Sequence, residues 1–180
     1  MNRNNLVKIR PAREVDIESV LCFERRNRAW FALFLPSQAL YTQDDKTHFS
    51  YLLKRKTRSL QYLLYQPPDV VVGRFSGQIL DVKNRTLEVS YRVDQHYLNQ
   101  GIARQALKYL LLVWASYGIK EVYAQVADHN KASIKVLLAC GFELFEIQRN
   151  AIKLPSGIHD GWGFRWSVDS PLKPDNAPVC

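Results

Sequence analysis

Gly101 and Ala103, within YLNQGIARQA at residues 97–106, form the stretch of this chain best suited to holding an anion. A glycine lets the backbone approach a charged group closely, because no Cβ intervenes. An alanine keeps side-chain bulk out of the same approach. A helix opening at such a loop aims its free N–H groups and the positive end of its dipole at the anion. A diphosphate is the group this arrangement fits. A glycine at a helix start is also ordinary punctuation, so the loop alone does not settle a ligand.

Two neighbouring stretches add polar groups. LEVSYRV at 87–93 alternates as a strand does, with Leu87, Val89, Tyr91 and Val93 on one face and Glu88, Ser90 and Arg92 on the other. By this alternation Glu88 reads as an exposed carboxylate on a strand. Downstream, DHNKASIKVLLACGF at 128–142 places Asn130 where a helix would begin and Ser133 one turn inside it. Asn130 suits an N-cap by type and position. Ser133 reads as a capping or solvent-facing serine, or as a hydroxyl that serves chemistry.

These pieces need a scaffold, and the rest of the chain supplies one. A short strand at 8–10 precedes a helix at 13–28, where Ile17, Val20 and Leu21 recur at helical spacing. A second short helix or turn is expected at 29–35, stopped by Pro36, and a longer charged helix at 43–60. Residues 61–65 and 70–80 flank Pro67-Pro68 as a hairpin, and 87–93 is the next strand. The most regular helix is 101–117, with Ala103, Ala106, Leu107, Leu110, Val113, Trp114 and Tyr117 on one face and Gly118 as its stop. A strand at 121–127, a helix at 131–140 and strands at 142–153 and 159–168 complete the order. Hairpin strands followed by β-α-β-α-β-β predict an α/β (α+β) fold with a mixed, largely antiparallel sheet flanked by helices. One domain is expected over 1–168, with a Pro-rich disordered tail at 169–180.

Composition bounds the function. The 180 residues are 47% hydrophobic and 12% aromatic, enough for one folded domain. No apolar run nears the roughly 18 residues that span a bilayer. The start MNRNNLVKIR has no secretory h-region. The three cysteines, Cys22, Cys140 and Cys180, are odd in number and lack C-x-x-C spacing. That argues against a disulfide framework or a zinc site and predicts a cytoplasmic protein. The net charge of +8 suits a polyanionic ligand, an acidic partner or nucleic acid. The basic residues are scattered apart from Lys54, Arg55, Lys56 and Arg58, which read as a solvated helix face.

Residues 97–106, 87–93 and 128–142 together resemble the core of a GNAT-superfamily N-acetyltransferase. Gly101 and Ala103 match the family's Q/R-x-x-G-x-G/A loop, with Leu98 in the Q/R position. A large apolar residue there is common in the branch that acetylates ribosomal-protein alanine N-termini (RimJ/RimL-like). Asn130-Lys131-Ala132-Ser133 followed by Gly141-Phe142 is similar to that branch's N-x-A-S…G-F segment. ERRNRAWFALFLP at 24–36 also resembles the branch, placing Trp30, Phe31 and Phe34 at an acceptor pocket or in the core. HDGWGFRW at 159–166 resembles its D-H strand. Asp160 fits, but Gly161 stands where histidine is usual, with His159 and His129 as substitutes.

The resemblance implies acetyl-coenzyme A as co-substrate and no metal. Asn99, Gln100, Gly101, Ile102, Ala103 and Arg104 would hold the diphosphate. Main-chain groups around Tyr91 and Val93, with the Asn130 amide, would hold the pantetheine in a gap between 87–93 and 121–127. Glu88 is implied as general base, directly or through a water. Ser133, or a tyrosine such as Tyr91, would protonate the departing thiolate. The acceptor expected is a protein α-amino group, whose reference pKa of about 7.7–8.0 leaves it partly neutral already. A polyamine or antibiotic amine is the second acceptor class. A coenzyme A-binding module without catalysis and a nucleic-acid-binding protein are the other classes. No membrane or nucleic-acid partner is expected.

Overall fold

The computed structural model describes residues 7–42, 45–55 and 57–169. Seven strands form one sheet: β1 (Lys8–Pro11), β2 (Ser59–Gln66), β3 (Val70–Asp81), β4 (Thr86–Val93), β5 (Glu121–Ala127), β6 (Glu143–Leu154) and β7 (Gly157–Ser167). Their order across the sheet is β1-β2-β3-β4-β5-β7-β6. Only the β4–β5 pairing is parallel, as the expected mixed and largely antiparallel sheet requires.

Alternation along the strands separates two cores. Tyr62, Leu64, Val72, Phe75, Leu87 and Val89 face α5 (Ile102–Ser116) and α6 (Lys131–Ala139). Leu63 and Val71 point the other way, against α1 (Ile17–Arg26), α2 (Arg28–Phe31) and α4 (Lys46–Lys54). Packing rather than capping holds α5, whose N-cap makes no side-chain hydrogen bond. Its Leu107, Leu110, Leu111 and Trp114 are fully buried, each contributing on the order of 1.5–3 kcal/mol.

Of the helix expected at 43–60, the part from Lys46 to Lys54 forms as α4, and Ser59 and Leu60 are strand. Helix α3 (Ser37–Thr42) comes first, and Asp45 then caps a separate α4 by accepting from the Thr47 amide at 2.8 Å. Ser59 and Leu60 belong to β2, where Ser59 is buried and pairs with Gln78. The apolar pattern of SLQYLLYQ serves a strand with cores on both faces, a demand that a charged-helix reading misses. In α1 the first residues expected as helix form a 3-10 turn, Glu14–Asp16. Tyr117, expected on the buried face of α5, is 79% exposed, while Ile102 and Leu111 are buried instead. The expected tail falls outside the described residues from 170 onward.

Candidate active site

The sheet opens at Glu88. β4 and β5 pair only through Thr86↔Glu121, Leu87↔Val122 and Glu88↔Tyr123, although β4 continues to Val93 and β5 to Ala127. The outer edge of β4 is taken by β3 and that of β5 by β7. Past Glu88 the facing edges of 89–93 and 124–127 therefore have no strand partner. Backbone N–H and C=O groups seek partners wherever water is displaced, so an extended amide-bearing ligand suits this opening.

The loop at 97–106 lies beyond the end of β4. Asn99 and Gly101 adopt left-handed conformations, with φ of 57° and 74°. Gly101 is the N-cap of α5, and a Cβ there would come no nearer than 3.9 Å to any other group. Glycine is thus demanded by the torsion rather than by crowding. No side chain caps this end, and the intrahelical ladder begins with Gln105 N–H donating to Gly101 O at 3.0 Å, so the amides of Ile102 and Ala103 precede it. A phosphate fits such an end. Gln100 turns back to donate to His96 O at 3.1 Å.

A carboxylate network that the sequence reading missed anchors the start of this loop. Asp94 is buried and accepts from Arg26 Nε at 2.8 Å, Asn27 Nδ2 at 3.0 Å and its own turn's His96 N–H at 3.0 Å. Burial works against its ionisation, but the bonds from Asn27, His96 and Arg26 prevail and hold the carboxyl at about 2. Asn27 Oδ1 also accepts from Gln95 N–H at 3.2 Å, so the end of α1 fixes where the loop leaves the sheet.

Alternation along β4 sends the polar candidates to opposite faces. Tyr91 stacks on Phe75 with ring centroids 5.0 Å apart, on the α5–α6 side. Its hydroxyl lies 2.9 Å from Ser133 Oγ and 3.3 Å from Ser133 O. Burial pushes the Tyr91 phenol well above its ordinary range, so it stays protonated and can donate a hydrogen bond. Asn130 caps α6 by accepting from Ser133 N–H at 3.1 Å, which turns Ser133 toward β4. Val93 is buried at the end of the strand.

Glu88 projects to the other face, at the last β4–β5 pair. It is half-buried, and burial raises its carboxyl above the usual range. Further along that face, Glu24 of α1 bridges Arg74 at 3.1 Å and Arg92 at 3.0 Å. All three are shielded from water, and burial, assisted by the Arg92 charge, lowers Arg74 to about 10 despite Glu24. The Arg92 guanidinium sits over Phe31, which is core. Trp30 packs at the edge of that core, and Phe34 stacks on His129 at 5.6 Å. The aromatic stretch thus divides between core and rim.

At Gly161 an added Cβ would meet Gln125 Nε2 at 3.1 Å and Ala151 Cβ at 3.4 Å, so the neighbours already fill the space. The Asn150 amide and Arg149 lower the Asp160 carboxyl and tie it into the β6–β7 hairpin. Cys140 is buried, its thiol donating to Arg104 O at 3.6 Å, which suits packing rather than acyl transfer.

A sheet split beside an uncapped helix end, with separate polar groups on its two faces, is the architecture of an α/β acyltransferase. More particularly, the profile described as "Acetyltransferase (GNAT) domain" matches residues 7–143, and the chain belongs to that family. No curated protein matches it in sequence. Among solved structures it is similar to a ribosomal-protein-S5-alanine acetyltransferase from Vibrio fischeri, with 17% identity over 97% of this chain and 98% of that one and a TM-score of 0.82. A RimL ribosomal L7/L12 alpha-N-protein acetyltransferase in complex with coenzyme A gives 23% identity, 92% and 96% coverage and a TM-score of 0.82. The ribosomal-protein-S18-alanine N-acetyltransferase from Escherichia coli gives 19%, 97% and 100%, and 0.72. At these identities the likeness establishes a shared fold.

Proposed function

We propose that this chain transfers an acetyl group from acetyl-coenzyme A to a protein N-terminal α-amine. The observation that carries the proposal is the opening at Glu88, flanked by the uncapped start of α5 and with Glu88 and Ser133 on opposite sides of β4. When bound, acetyl-coenzyme A supplies an acetyl thioester, so a C–N bond forms to the amine as the C–S bond breaks.

The chain's own groups divide the work. The amides of 99–104 hold the diphosphate, while the free edge of β4 at Tyr91 and Val93 and the Asn130 amide hold the pantetheine. Main-chain N–H groups of that edge stabilise the charge that develops on the carbonyl oxygen. Glu88, kept basic by burial, takes the proton from the attacking amine. On the far face, Ser133 with Tyr91 donates to the sulfur as it leaves. A cytoplasmic location is part of the same proposal. It is supported by Cys22 and Cys140, which form no disulfide among the described residues.

The acceptor reading is supported by structurally similar proteins whose described activities are alanine or α-N acetylations of ribosomal proteins. Thiol release should be measured with peptides bearing a free α-amine, the same peptides blocked at the N-terminus but carrying lysine, and a polyamine. Turnover confined to the free α-amine supports the proposal. Turnover on the polyamine alone would replace it with a small-amine enzyme, and none on any acceptor would leave a binding module.

A further inference from the structure

We infer that Asp128, His129 and His159 form a site for one zinc-class divalent cation. One ligand atom of each lies within 4.8 Å of the other two. Asp128 and His129 sit in the turn between β5 and α6, and His159 reaches them from β7, its ring centroid 4.3 Å from that of His129.

The hydrogen atoms can be assigned at one ring. His129 Nε2 lies 2.9 Å from Leu33 O, and a carbonyl only accepts, so Nε2 carries the proton. In the neutral ring the Nδ1 lone pair then faces Asp128 Oδ1 at 3.9 Å. His159 Nδ1 approaches the same oxygen at 3.5 Å, while its Nε2 meets Ser156 Oγ at 2.9 Å. A histidine that ligates a metal through one nitrogen usually anchors the other on a carbonyl or similar group, as both rings do here.

What the cluster lacks is also informative. Separations of 3.5 and 3.9 Å are too long for good hydrogen bonds, so the carboxylate satisfies neither ring. Asp128 Oδ1 and His129 Nδ1 are both shut off from water without a hydrogen-bond partner. Two buried acceptors left facing each other are costly, and a cation between them satisfies both. Zinc bonds of about 2.0–2.1 Å put tetrahedral ligands about 3.3 Å apart, so side-chain rotation must draw in atoms that now stand 3.5 and 3.9 Å from Asp128 Oδ1 and within 4.8 Å of one another. Two imidazoles and a carboxylate also suit zinc better than calcium or magnesium.

No step of the proposed acyl transfer calls on the ion. It ties β7 to the β5–α6 turn and, through His129 and Leu33, to the segment after α2. Stripped full-length protein should be titrated calorimetrically with Zn2+, alongside His159→Gln, Asp128→Asn and, as a control, His48→Gln in α4. Circular dichroism checks that each variant is folded. The inference predicts about one equivalent bound, a raised thermal midpoint, a loss of on the order of tenfold or more in affinity for either cluster variant and none for His48→Gln. Substituted Co2+ should show visible bands without thiolate charge transfer. Absent saturable binding, equal affinity in the folded cluster variants, or a thiolate spectrum would overturn it.

Discussion

The hydroxyls of Tyr91 and Ser133 lie 2.9 Å apart and join β4 to the first turn of α6 on the face of the sheet opposite Glu88. Tyr91 is fixed by stacking on Phe75, and Ser133 by the Asn130 cap that receives its amide. In the proposed mechanism, a donor pair held this firmly would lose little order on meeting a developing thiolate. Because burial raises the Tyr91 phenol, its hydroxyl stays protonated across the physiological range.

Ser133→Ala and Tyr91→Phe should each lower kcat about 10²-fold, with KM for acetyl-coenzyme A little changed. The double variant should be no slower than the worse single, since the two hydroxyls work as one unit. Steady-state thiol release measures this. Independent, multiplying losses would show that the hydroxyls act separately.

Glu88→Gln should slow turnover by about 10²–10⁴-fold. The wild-type pH–rate profile should carry an acid limb above the usual carboxylate range, because burial raises Glu88, and the variant should lack that limb. Stability should move the other way. A carboxyl whose folded pKa is raised costs stability once ionised, so the amide should leave the neutral-pH melting temperature unchanged or higher. A variant with wild-type rate would remove Glu88 from the chemistry.

Asp94→Asn should destabilise the fold by about 2–3 kcal/mol at neutral pH. The folded carboxyl is held at about 2, below its unfolded value, so its contribution is present above the unfolded pKa and is lost as pH falls toward 2. Denaturant titrations of both proteins from pH 7 down to about 2.5 should therefore converge. A constant gap would assign the loss to packing instead.

Gly101→Ala places a side chain at φ 74° with open space around it, so the penalty is torsional, roughly 1–2 kcal/mol. It should appear as weaker acetyl-coenzyme A binding together with a lower melting temperature.

Glu88, Tyr91 and Val93 were assignable to faces in the sequence because β4 is buried on a period of two. Gly101 and Asn130 were readable because turn and cap chemistry is local. The Glu24–Arg74–Arg92 and Asp94–Arg26–Asn27 networks were not, since their members are distant in the chain and only the packing of α1 on the sheet unites them. His129 and His159 lacked ligand spacing for the same reason, β7 being what brings them together. The boundary at 55–60 failed because a strand buried on both faces has no distinctive period.

Calorimetric binding of acetyl-coenzyme A, compared between the wild-type chain and Gly101→Trp, tests most directly whether the opening beside α5 is the co-substrate seat. Saturable binding at about one site per chain, lost in a folded variant that blocks the loop, is the predicted result. No binding by the wild type, or equal binding by both proteins, would contradict the account.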